Sequence, residues 1–132
     1  MPKSTNSRDS FLLSSTARRA GLAIWMVCLT VLSLLPMHVK RSIGTTGFLH
    51  NAGHLTAFAI TGIFLLPPRR PGFFDAWRIW PGVLFAISLE WLEAAVYGNA
   101  FEWRDVATDT MGLLAVLLVS GIYDLLYAET NR

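Results

Sequence analysis

Residues 79–96 read IWPGVLFAISLEWLEAAV, a continuous apolar run in which Glu90 and Glu93 are the only charges. A membrane-spanning helix needs about 20 predominantly apolar residues, and this run is long enough. Three further segments match it. Residues 20–37 carry no charge; residues 48–66 carry His50 and His54 but no carboxylate, Lys or Arg; residues 106–126 are apolar except for Asp109 and Asp124. The runs are continuous rather than alternating, which excludes the strands of a membrane barrel. The expected fold is therefore all-α, an integral membrane four-helix bundle. It occupies residues 18–128 as one domain, between polar tails at 1–17 and 129–132.

Composition leads to the same class. Of the 132 residues, 53% are hydrophobic and 15% charged, against roughly 25% charged in ordinary soluble domains. A soluble core of this size could not bury so much apolar surface, so the expected partner is the lipid bilayer. The net charge of +2 is distributed in blocks between the apolar runs. No basic stripe interleaved with exposed aromatics is present, which sets nucleic acid aside. The single cysteine, Cys28, lies inside the first run; it excludes an intrachain disulfide and a multi-cysteine metal site. Arg18 and Arg19 ahead of that run resemble the start of a signal peptide. The apolar core is long for one, however, and Leu35-Pro36-Met37-His38 offers no small-x-small cleavage site. The segment reads as a retained span.

Lys and Arg concentrate in cytoplasmic loops of membrane proteins. With the N-terminus inside, Lys3, Arg8, Arg18, Arg19, Arg69, Arg70, Arg78 and Arg132 fall in the cytoplasm, and only Lys40, Arg41 and Arg104 fall outside. That bias predicts an N-in, C-in topology. Trp77, Trp80, Tyr123 and Tyr127 then mark the inner interface and Trp103 the outer one, and Pro67-Pro68 ends the second span in a rigid inner turn.

Ionisable groups inside a span cost at least about 2.5–3.5 kcal/mol each on insertion scales, so they demand a reason. Here they come in pairs at helical spacing. His50 and His54, Glu90 and Glu93, and Asp105 and Asp109 each share one helix face. In the N-in orientation all three pairs lie toward the outer side, with Glu90 and His54 about 10 Å inside it. His50 reads as an interfacial polar residue. His54 shares its face with the small residues Ala57 and Thr61, which favour close helix packing. Asp105 could also act as a helix cap. Glu90 and Glu93 on one buried face repel each other, and a proton, a cation or Arg104 must relieve that. The candidate site is thus His54, Glu90, Glu93, Asp105 and Asp109. Carboxylates with an imidazole suit several divalent metals, so the same five residues could hold a metal ion.

From Glu90 onward the chain carries Glu93 at +3, Asn99 at +9, Phe101 at +11, Asp105 at +15, Asp109 at +19 and Gly112 at +22. Ahead of them His54-Leu55-Thr56-Ala57-Phe58 opens an apolar stretch. This pattern resembles the VanZ-like family of bacterial membrane proteins, whose corresponding positions hold an acid, Gln, Arg, an aromatic, Asp, Asn and Gly after a similar His segment. Glu93, Asn99 and Asp109 depart from the family pattern, and together they make the site three units more negative. The resemblance implies a multi-pass protein of the bacterial cytoplasmic membrane with an outward polar site. It also implies a link to resistance against glycopeptide antibiotics such as teicoplanin. Asn99, Phe101, Arg104 and Gly112 would support the site.

Three function classes stay open at this level. One is a cell-envelope factor whose outer site binds, or modifies, a lipid-linked or glycan component. The second is a non-catalytic accessory or assembly subunit in which the polar cluster fixes helix register. The third is a proton- or cation-coupled transport element, although no ionisable ladder continues through the inner half of the spans. No diagnostic hydrolase or transferase motif is present, and the oligomeric state is not encoded in any pattern.

Overall fold

The computed structural model describes residues 15–42, 47–66 and 73–130. Every regular element among them is helical: α1 (Ser15–Ser33), α2 (Met37–Ser42), α3 (Phe48–Leu65), a 3₁₀ segment (Phe73–Ile79), α4 (Trp80–Tyr97) and α5 (Trp103–Thr130). Four stretches, at 16–33, 48–65, 76–97 and 103–123, are long and apolar enough to cross a membrane.

The boundaries differ from the expected ones where local chemistry decides them. α1 begins at Ser15, inside the stretch expected to be tail, and ends at Ser33 rather than at 37. Pro36 has no amide hydrogen, and its ring disfavours helical geometry in the residue before it. Its carbonyl then accepts the Val39 and Lys40 amides at 2.8 and 3.1 Å, which starts α2. A helix thus stands where a plain polar turn was expected. α4 follows the 3₁₀ segment directly, with Pro81 in its first turn, where a missing N–H leaves no partner wanting. Gly98, at φ +67°, adopts the left-handed conformation that closes α4. α5 starts three residues before the expected 106 and continues to Thr130, into the first half of the expected C-terminal tail. The Pro67-Pro68 turn lies outside the described residues.

Side-chain pairing gives the direction of each helix. The Arg18 guanidinium donates to the Leu66 carbonyl at 2.8 Å, and the Trp25 indole N–H lies 3.1 Å from the Thr61 hydroxyl oxygen and 3.3 Å from the Ala57 carbonyl. Numbers rise on α1 as they fall on α3, so the two are antiparallel. Ser33 reaches Glu93 and Leu34 meets Tyr97, so α1 and α4 run together. His50 pairs with Asp105 and His54 with Asp109, which makes α3 and α5 parallel. The α3–α5 interface is the most extensive in the molecule.

The core between them is thin. Leu113 is fully buried, packed against Gly82 of α4 and the Gly62 region of α3, with Phe58, Ala86 and Leu89 beside it. Most of the apolar surface faces outward instead: Ile24 on α1 is 67% exposed and Leu118 on α5 is 66% exposed, and Leu84, Trp91 and Val119 are similar. Soluble monomers rarely expose contiguous apolar surface beyond a few hundred Å².

Candidate functional site

Gly112 determines how closely α3 and α5 meet. A Cβ at this position would collide with the Leu55 carbonyl oxygen and lie 3.0 Å from the Ala59 nitrogen. Only a hydrogen lets the two backbones approach this far, and the approach brings short side chains on the neighbouring turns within reach. His50 and Asp105 precede His54 and Asp109 by one turn on their respective helices, so the two pairs stack like rungs. His50 Nε2 lies 3.0 Å from Asp105 Oδ2, and His54 Nδ1 lies 2.8 Å from Asp109 Oδ1. The imidazole rings are 4.5 Å apart, centroid to centroid. The Asp109 side chain is only 5% exposed.

The small-residue face expected against these acids lies elsewhere. Ala57 and Thr61 turn toward α1, where they accept the Trp25 indole N–H. The surface that meets Gly112 is Leu55 and Ala59. The two faces of α3 are adjacent, and spacing alone does not say which neighbour each one meets.

Glu90 and Glu93 share the inward face of α4 but have different partners. Glu93 Oε1 accepts from Lys40 Nζ at 2.5 Å, and Oε2 accepts from the Ser33 hydroxyl at 2.9 Å. Glu90 Oε1 accepts the Glu102 amide at 2.7 Å, which satisfies a backbone donor at the start of α5. Tyr97, one turn beyond Glu93, donates to the Leu34 carbonyl at 2.5 Å and ties α4 to the end of α1.

These groups surround a half-open cavity of about 200 Å³ between α1, α3 and α4. Leu29, Phe58, Ala86 and Leu89 form its apolar depth, and Lys40, His50, His54, Glu90, Glu93 and Asp109 form its polar rim. Asp105 borders an adjoining cavity that shares Lys40, His50, Glu90 and Glu93 with the first. Four of the five candidate residues therefore line one space, and Asp105 lies next door behind His50.

Of the supporting residues, Asn99 borders the second cavity, and Phe101 packs against Trp103 with ring centroids 4.7 Å apart. Arg104 corrects an expectation. It is exposed, and among the described residues its guanidinium pairs with none of the carboxylates. The cation that balances Glu93 is Lys40, which in the sequence contributes only to the charge bias between the two sides. Its signal was present: a face with several carboxylates needs a cation, and Lys40 is one of three basic residues between spans at that end. His50, which the spacing pairs with His54 but which reads from the sequence as an interfacial polar residue, joins the site through its contact with Asp105. A nitrogen from each of His50 and His54 and an oxygen of Asp105 lie within 4.8 Å of one another. Among the described residues this set brings three potential metal ligands together, and it omits Glu90, Glu93 and Asp109.

Compared with protein-family models, with curated proteins and with solved structures, the chain finds no match in any of the three.

Proposed function

We propose that the chain is a multi-pass protein of the bacterial cytoplasmic membrane, with both termini in the cytoplasm. Its outer-facing site binds the head of a lipid-linked sugar of the envelope. The observation that carries this is the half-open cavity, apolar in its depth and ionisable at its rim. An amphiphile places its chain against Leu29, Phe58 and Leu89 and its head among the carboxylates. Three acids at this rim against Lys40 and two histidines favour a head rich in hydroxyl or amine donors over a bare anion, since ionised carboxylates only accept hydrogen bonds. The outward apolar faces of the helices support placement in lipid, and the distribution of Lys and Arg supports the orientation. The resemblance to the VanZ-like family supports the same envelope role.

Reporter fusions after residues 37 and 97 test the orientation; cytoplasmic activity from either would overturn it. Native mass spectrometry of the protein taken directly from bacterial membranes tests the ligand. The wild type is expected to retain a glycolipid that Glu93→Gln and His54→Gln release. A wild type that carries only bulk phospholipid, unchanged in both variants, would refute the assignment.

One observation favours a second role for part of the cluster. Among the described residues, every buried side-chain polar atom has a partner, and both His–Asp pairs lie at the α3–α5 contact. In that half, the acids also fix which turn of α3 meets which turn of α5, as an assembly element would.

A further inference from the structure

We propose that His50, His54 and Asp105 form a site for one transition-metal ion, Zn²⁺ by its ligand chemistry, with Asp109 as the carboxylate that orients His54. The inference goes beyond glycolipid binding and stands without it.

Two histidines at i, i+4 on one helix present their rings to the same side, the arrangement that helical zinc sites use. Here a third donor comes from the parallel helix. His50 Nε2 and Asp105 Oδ2 are already 3.0 Å apart. Two ligands of a tetrahedral zinc, each about 2.0–2.1 Å from the ion, stand roughly 3.3 Å from each other. An ion can therefore enter between this pair after a shift of a few tenths of an ångström, and a His54 nitrogen within 4.8 Å of both other donors completes the set by closing up to about 1.5 Å toward the tetrahedral spacing.

The neighbouring rung decides which His54 nitrogen is free to bind. A carboxylate only accepts, so His54 Nδ1 must donate to Asp109. In the neutral ring the lone pair is then on Nε2, and the proton on Nδ1 is held by a buried acid. Metal-binding histidines almost always give their second N–H to such a partner. On the other rung His50 Nε2 donates to Asp105 in the metal-free structure, so an ion entering there displaces that proton, which moves to Nδ1 in a neutral ring or leaves to solvent from an imidazolium.

Glu90 and Glu93 do not join the set. Both oxygens of Glu93 are engaged, by Lys40 and Ser33, and Glu90 holds the Glu102 amide. Three protein ligands leave the fourth position open, the pattern of sites that receive water or a ligand. His50 lines both the amphiphile cavity and the water-accessible space beside Glu102 and Arg104, so that position can be reached. A dication there also offsets the excess of acids over Lys40.

The test uses the full chain in nanodiscs, stripped with a chelator and titrated with Zn²⁺, and with Co²⁺ as a visible probe. One equivalent is expected, with the absorption of tetrahedral cobalt. His50→Gln and His54→Gln should each weaken binding at least about 100-fold. Asp109→Asn should weaken it roughly 10–100-fold while keeping the stoichiometry. Glu93→Gln and His38→Gln should bind as the wild type does. X-ray absorption of the zinc-loaded wild type needs no variant and should show two imidazoles. The absence of a stoichiometric ion, a spectrum without imidazole, or a loss in Glu93→Gln equal to that in His54→Gln would overturn the proposal.

Discussion

Between α3 and α5 the backbones touch at Gly112, and the charged partners are two short residues, His and Asp, on each rung. Between α4 and the chain that leads from the end of α1 into α2, at the same end of the molecule, long side chains do the spanning: Lys40 reaches Glu93, and Tyr97 reaches the Leu34 carbonyl. The first contact leaves no room for an amphiphile. The second holds a cavity open. The difference follows from side-chain size at the crossing point. A glycine at a helix contact converts polar side chains into packing elements, whereas Lys and Glu keep helices apart and leave space behind them. The short contact therefore carries stability, and the long one carries the space for the amphiphile.

Gly112→Leu breaks the short contact most directly. Its Cβ would meet α3 backbone rather than the end of a flexible side chain, so neither helix can yield locally. A loss of about 3 kcal/mol or more is expected, read as failure to remain monodisperse in mild detergent. A Gly112→Leu protein with wild-type thermal stability would mean that α3 and α5 do not touch here.

Next in size is Asp109→Ala, which leaves His54 facing a buried gap. Removing one member of a buried pair costs about 3–5 kcal/mol when the other stays charged; a neutral His54 lowers this to about 2 kcal/mol. Replacing both by leucine should recover most of the loss, because the pair itself adds little over apolar packing. A double variant as unstable as the single one would show that the pair is needed for more than mutual satisfaction.

The two contacts also differ in how far the sequence reveals them. The rungs are written in plain spacing, His50/His54 and Asp105/Asp109, with Gly112 one turn on. Apolar run length likewise marks four helices to within a few residues. What spacing does not carry is the partner of each face. Ala57 and Thr61 face Trp25 rather than the acids, because which side of α3 meets α1 depends on the arrangement of all four helices. Lys40 was hidden for a related reason: it lies on α2, a helix created by the Pro36 break, and a six-residue helix leaves little periodic signal. Arg104 was the nearer cation in sequence, yet it stands exposed in the first turn of α5 and pairs with no carboxylate among the described residues.

Lys40→Met probes the long contact. The pair is partly open, with side chains 11% and 19% exposed, and Ser33 still donates to Glu93 after the substitution. A loss of about 1–2 kcal/mol is expected in thermal unfolding, smaller than at Asp109. Glycolipid retention should fall further than stability does. Arg104→Gln should change stability by less than about 0.5 kcal/mol. Equal losses for Lys40 and Arg104 would return Arg104 to the role of counter-ion.

Gly53→Leu has the smallest effect on stability and separates the two contacts most cleanly. Gly53 lies inside α3 on the wall of the cavity, and a Cβ there meets nothing within 4 Å. Glycine in a helix interior costs about 0.8–1 kcal/mol relative to a good helix former, so leucine should leave the unfolding temperature unchanged or raise it slightly. The rungs to Asp105 and Asp109 need no rearrangement, because the new side chain extends into open space. That space is the volume assigned to the amphiphile. Native mass spectra should accordingly show a folded, helical protein that has lost its glycolipid. Binding at the wild-type level in Gly53→Leu would mean that the head sits outside this cavity, and the division between a contact for stability and a contact for amphiphile binding would fail.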